Sequence, residues 1–150
     1  MRVVVQRSLD SYVLVDGKVT GSIDKGLVVL VGFTHDDDIN DIDYIVKKII
    51  NLRIFDDSEG VMNLSIKDTF KNILSISQFT LYADTTKGNR PSYINAMKGE
   101  DATKLYDLFN ERLRENGMNV QTGIFGEDMD VHIRNDGPVT IIIESPFSME

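Results

Sequence analysis

Two short polar segments carry the groups best equipped for chemistry. The first is Ser77-Gln78-Phe79-Thr80, continuing to Leu81-Tyr82-Ala83-Asp84. It interrupts Ile73–Tyr82, a run that alternates like a strand. Regular alternation predicts Gln78 and Thr80 on one side and Ser77 and Phe79 on the other. Burying such groups costs energy unless they hydrogen-bond. A half-exposed strand with one polar face fits the same pattern. The second segment is Asn135-Asp136-Gly137-Pro138-Val139-Thr140. Asp-Gly between strands normally marks a two-residue hairpin. Here Pro138 holds the fourth turn position and has no N–H to close it. A plain hairpin is therefore disfavoured. Two forms fit instead: an ordinary trans loop, or a cis Gly137–Pro138 turn that leaves nearby carbonyls free.

The usual catalytic engines are missing. There is no G-x-S-x-G elbow, no G-x-x-x-x-G-K-[ST] loop and no G-x-G-x-x-G. A calcium loop starting at Asp36 would need glycine and glutamate where Asp41 and Lys47 stand. The Asp36-Asp37-Asp38 run reads instead as an acidic loop capping a helix. Only two histidines occur, and His132 lies mid-strand, pointing away from Met129, Val131 and Ile133. A Ser-His-Asp or Cys-His arrangement is poorly supported.

The elements that must hold these segments follow from periodicity. Arg2–Gln6 is short and β-branched. Tyr12–Val15 and Lys18–Ile23 flank Asp16-Gly17, a hairpin signal. Gly26–Phe33 is nearly continuous in apolar residues, as in a strand buried on both faces. Ile42, Ile45, Val46 and Ile49 place a helix at about residues 39–51. Ala102, Leu105, Tyr106, Phe109 and Leu113 mark a second, with Gly117 where a C-terminal cap belongs. Asp128–Arg134 and Val139–Ile143 read as two more strands. The expected fold class is α+β: a largely antiparallel sheet or half-barrel with two main helices packed on it. With 150 residues, no repeat and no linker, the chain reads as one domain spanning residues 1–150.

Composition narrows the function classes. No cysteine is present, so disulfide frameworks and thiol catalysis are excluded. No apolar run approaches the ~20 residues of a membrane span. A cytoplasmic location, with no membrane partner, is expected. The net charge of −8 argues against a nucleic-acid partner. One window departs from that balance. Residues 71–99 carry Lys71, Lys87, Arg90 and Lys98 against Asp84 alone, a local +3. A solvated loop explains it; so does a meeting point for a polyanion.

The chain resembles the D-aminoacyl-tRNA deacylase family of the bacterial and eukaryotic type, over essentially its whole length. Val4-Val5-Gln6-Arg7 looks like the family's start, and Ser77-Gln78-Phe79-Thr80-Leu81 its first signature. Lys87-Gly88-Asn89-Arg90-Pro91-Ser92 and Thr122-Gly123-Ile124-Phe125-Gly126 with Met129 also match. Asn135-Asp136-Gly137-Pro138-Val139-Thr140 is the second signature. Glu127 departs from the family's usual small residue, as does Tyr93 from a common Phe.

The resemblance implies hydrolysis of the ester joining a D-amino acid to the 3′-terminal adenosine of tRNA. Neither DNA, a cofactor nor a metal is implied. It implies a homodimer in which a cis Gly137–Pro138 unit enters the other subunit's pocket. There it would hold the amino group and reject L side chains, with Arg7 steadying the motif and Met129 packing nearby. It further implies catalysis by Ser77, Gln78, Phe79 and Thr80, largely through backbone N–H groups and the Thr80 hydroxyl, with the RNA 2′-OH helping to activate water. Glycyl-tRNA is an expected further substrate. Two other readings stand beside this one: an esterase using Ser77 or Thr80 as nucleophile, and a non-catalytic tRNA-binding module.

Overall fold

A computed structural model describes residues 1–146. The chain forms β1 (Arg2–Ser8), β2 (Ser11–Val15), β3 (Lys18–Ile23), β4 (Gly26–Gly32), α1 (Ile39–Asn51), β5 (Phe55–Asp56), β6 (Met62–Leu64), β7 (Asn72–Ser77), α2 (Gly99–Glu115), β8 (Asn119–Thr122), β9 (Asp130–His132) and β10 (Asn135–Glu144). The main sheet has the order β10-β1-β4-β7-β8, and a smaller one the order β3-β2-β9. The β1–β10 and β1–β4 pairs are antiparallel, as are both pairs of the smaller sheet. The β4–β7 and β7–β8 pairs are parallel.

Side-chain alternation sorts the core into two layers. Leu27, Val29 and Val31 of β4 face α1 and α2, joining Ile42, Ile45, Ile49, Phe109 and Leu113. Val28, with Leu74 and Ile76 of β7, faces the smaller sheet and packs on Val13 and Ile23. Gly26–Gly32 is thus covered on both sides, as its unbroken apolar run predicts. The helix at 39–51 forms as expected. Asp38 accepts from the Asn40 amide at 2.9 Å, and Asp41 reaches back to the Asp38 amide at 2.9 Å, a capping box. The acidic run does more than cap. Asp37 takes the buried Met1 ammonium at 2.9 Å and the Thr34 amide at 2.7 Å. The Asp16-Gly17 turn forms with φ of 50° and 77°, both in the left-handed region that a type I′ hairpin requires.

Two expectations are corrected. The strand expected over Ile73–Tyr82 stops at Ser77, and Phe79–Tyr82 forms one 3-10 turn. The cause is tertiary. The Arg2 guanidinium donates to the Leu81 carbonyl at 2.5 Å and lies 4.7 Å from the centre of the Tyr82 ring, curling the segment against β1. The face assignment of Gln78 and Thr80 falls with the strand. The last strand begins at Asn135 rather than Val139, so the second polar segment lies inside β10. An irregularity in the β1–β10 register between Gln6 and Ser8 accommodates it. No hairpin joins β9 to β10, because β9 pairs with β2 and β10 with β1.

Candidate active site

The 3-10 turn at Phe79–Tyr82 caps the parallel β4–β7 pair and forms one wall of a cavity of about 400 Å³. The Gln78 amide donates to the Val31 carbonyl at 2.7 Å, which anchors the turn. Its first bond closes from the Leu81 N–H to the Gln78 carbonyl. The Phe79 and Thr80 N–H groups precede that bond and have no acceptor inside the turn. The Gln78 carboxamide donates to the Thr80 hydroxyl, leaving the Thr80 O–H free to act as a donor.

Gly32 permits this approach. A Cβ built there would stand 3.0 Å from the Gln78 carbonyl oxygen and 3.1 Å from the Leu81 Cβ. Sequence reasoning passed over Gly32. Its signal was a glycine closing an otherwise branched apolar strand.

The other walls come from the start of α2 and from the segment after β8. Lys98, Gly99 and Ala102 line one side, and Phe125, Gly126, Glu127, Asp128 and Met129 another. The Lys98 ammonium lies 4.9 Å from the centre of the Phe79 ring and 5.4 Å from that of Tyr93. The two rings meet edge to face at 5.2 Å. Ala102 and Phe125, also unremarked in the sequence as site residues, supply small and aromatic packing. Beneath them the Tyr106 hydroxyl donates to the Ser75 carbonyl at 2.8 Å, fixing α2 to β7. Burial raises the Tyr106 pKa above its ordinary value.

Of the expected site residues, Ser77, Gln78, Phe79 and Met129 line this cavity. Thr80 adjoins it without lining it. Of the basic window, Lys98 reaches it, while Lys87 and Arg90 lie on an exposed loop closed by the mutual Asp84–Ser92 backbone bonds. Neither histidine takes part. His132 stacks on Tyr12 at 4.5 Å, and His35 bonds the Ile94 carbonyl.

Arg7, Gly137 and Pro138 lie elsewhere in the same chain. Ser77 is level with Val31 of β4 and hence with Val3 of β1, whereas the Gly137 segment lies near Arg7 and Ser8. Strand rise and spacing put the two segments about 20 Å apart across the sheet. Around Gly137 the geometry is tight. Arg7 Nε donates to the Asp136 carbonyl at 3.2 Å, and Arg7 Nη1 to the Ile54 carbonyl at 2.8 Å. The Gly137–Pro138 bond is cis, and Gly137 has φ of 129°, a backbone that disfavours any side chain. Both residues are exposed on β10, the edge strand.

A family model for D-Tyr-tRNA(Tyr) deacylase matches residues 4–144. The chain belongs to this family. It is 54% identical over 145 residues to a D-aminoacyl-tRNA deacylase of Brevibacillus brevis, covering 97% of this chain and all of that one. A D-aminoacyl-tRNA deacylase of Bacillus cytotoxicus is 56% identical over 145 residues, with 97% and 99% covered. Among solved structures, the c-Myc DNA Unwinding Element Binding Protein superposes with a TM-score of 0.91 at 41% identity, over 97% of this chain and 99% of that one. A probable eukaryotic D-amino acid tRNA deacylase gives a TM-score of 0.82 at 19% identity, over 95% and 98%, a likeness of fold alone. The activity of the family is hydrolysis of D-aminoacyl-tRNA, which makes this chain an ester hydrolase acting on aminoacyl-tRNA. Among the described residues no helix is long and apolar enough to cross a membrane, and none form a metal-binding cluster.

Proposed function

We propose that the chain hydrolyses D-aminoacyl-tRNA as a homodimer in which each site is built from both subunits. The separation of the two signature segments carries this reading. One chain holds the cavity and the exposed Gly137–Pro138 segment about 20 Å apart across the sheet, whereas the family resemblance implies that both act at one ester. A second copy brings them together. The outer face of β10 suits such a contact, because Ile142 is 65% exposed there, in register with Val4 of β1.

Within the site, the Phe79 N–H meets the ester carbonyl, with the Thr80 N–H and hydroxyl beside it at the cavity's edge. Water adds to that carbon, and these donors hold the oxyanion that forms. Collapse of the intermediate breaks the C–O bond to the ribose and releases the free D-amino acid and the tRNA hydroxyl. The neighbouring ribose 2′-OH helps to activate the water. The placement of both histidines outside the cavity favours this route over a Ser77 or Thr80 nucleophile, since among the described residues neither hydroxyl is hydrogen-bonded to a base. Carbonyls of the partner's Gly137 segment take the substrate amino group, and an L side chain would run into the same backbone. A D side chain or glycine has room.

Subunit mixing tests the composite site. Gly32→Val disables the cavity and Gly137→Val the reaching segment, so each homodimer is inactive. Mixed dimers hold one intact site of two, and equal mixing restores about a quarter of wild-type sites. Exchange of tagged subunits with no recovery of activity would contradict the arrangement.

A further inference from the structure

We propose that Glu127, together with Asp128, makes the site select among D-aminoacyl esters by side-chain charge. Cationic side chains (lysyl, arginyl) are favoured over anionic ones (aspartyl, glutamyl). This rests on the deacylase reading of the cavity and adds a substrate preference to it.

Both carboxylates line the cavity and both are exposed. Among the described residues neither side chain makes an ion pair or hydrogen bond. They are nonetheless displayed at a fixed place. Gly126 turns the backbone at φ of 83°, and the Glu127 amide donates to the Ile124 carbonyl at 3.2 Å. Met129, two residues on, lines the same wall.

Lys98 is the one cation lining the cavity among the described residues. Its ammonium is held over the Phe79 and Tyr93 rings, beside the proposed oxyanion donors. Lys98 belongs to the side of the lining at the start of α2, and the two carboxylates belong to the segment between β8 and β9. An ammonium on the aminoacyl side chain finds uncompensated carboxylates there, whereas a carboxylate meets like charge. Exposed charges of this kind act within a Debye length of about 8 Å at physiological salt, which spans the cavity but not the tRNA body.

The test uses one tRNA body charged in turn with D-lysine, D-tyrosine and D-aspartate. The quantity read is the ratio of kcat/KM for the lysyl ester to that for the aspartyl ester. Repulsion between Glu127 and the tRNA alters all three rates alike and cancels in the ratio. The wild-type ratio is expected to exceed one and to fall toward one as salt rises. Glu127→Gln lowers it about three- to fivefold, the upper range for an exposed ion pair, and adding Asp128→Asn lowers it further. Both changes keep side-chain size at exposed positions, so the fold is retained. A ratio that neither the substitutions nor salt moves overturns the proposal. Failure to hydrolyse all three esters would instead overturn the deacylase reading itself.

Discussion

The guanidinium of Arg7 donates to the carbonyl oxygen of Asp136 at 3.2 Å, one residue before Gly137. A side chain on β1 thereby fixes the backbone of a segment 129 residues away. The same guanidinium bonds the Ile54 carbonyl, so removing it cuts the motif's tie to the segment around Ile54. Arg7→Ala is expected to lower kcat/KM for a D-aminoacyl ester about 10- to 100-fold, the equivalent of one charged hydrogen bond. Arg7→Lys recovers little, because one ammonium cannot serve both carbonyls in the guanidinium geometry. Unchanged kinetics in Arg7→Ala would remove it from the account.

Thr80 carries a hydroxyl that already accepts from the Gln78 carboxamide. Thr80→Ala removes at most one oxyanion donor, expected to cost no more than about 10²–10³ in kcat. Loss of a true nucleophile costs about 10⁶. A 2′-deoxy terminal adenosine tests the other partner. A deoxy ester cleaved at the normal rate, with Thr80→Ala dead, would make the protein hydroxyl the nucleophile.

Gly32→Ala places a methyl group 3.0 Å from the Gln78 carbonyl oxygen. The turn bearing Phe79 must shift. Overpacking of this kind is expected to cost about 1–3 kcal/mol of stability and to reduce activity beyond that loss. Thermal unfolding and kcat measured together check this. Full activity in the variant would show that the turn position is immaterial.

Tyr82 and Tyr106 supply a pH signature. Burial raises both folded-state pKa values above the ordinary 10.0. Their contribution to stability is complete below about pH 10 and is lost as pH climbs above it, because the unfolded state releases these protons first. Denaturant midpoints should therefore decline above pH 10, with a shallower decline in Tyr82→Phe. An identical alkaline slope in that variant would contradict the burial argument.

The sequence disclosed whatever depends on local chemistry. Helix α1 and its acidic cap, the Asp16-Gly17 hairpin and the doubly covered β4 follow from periodicity and turn residues. The turn at Phe79–Tyr82 does not, since its local pattern alternates like a strand and Arg2, 79 residues away, overrides it. The parallel β4–β7 pairing is equally hidden, because it depends on where α1 returns the chain. Of the site, the two signatures were visible as segments with unexplained polarity. Their separation within one chain was not, because register along β1 decides it.

The central claim is that chirality is enforced by excluding L side chains and that cleavage requires no D side chain, whose charge only modulates the rate. The direct measurement is deacylation of D-tyrosyl-, L-tyrosyl- and glycyl-tRNA by the same preparation. The account predicts rapid release from the D-tyrosyl and glycyl esters and an intact L-tyrosyl ester. Glycyl-tRNA surviving alongside L-tyrosyl-tRNA would contradict it, because a D side chain would then be required for cleavage.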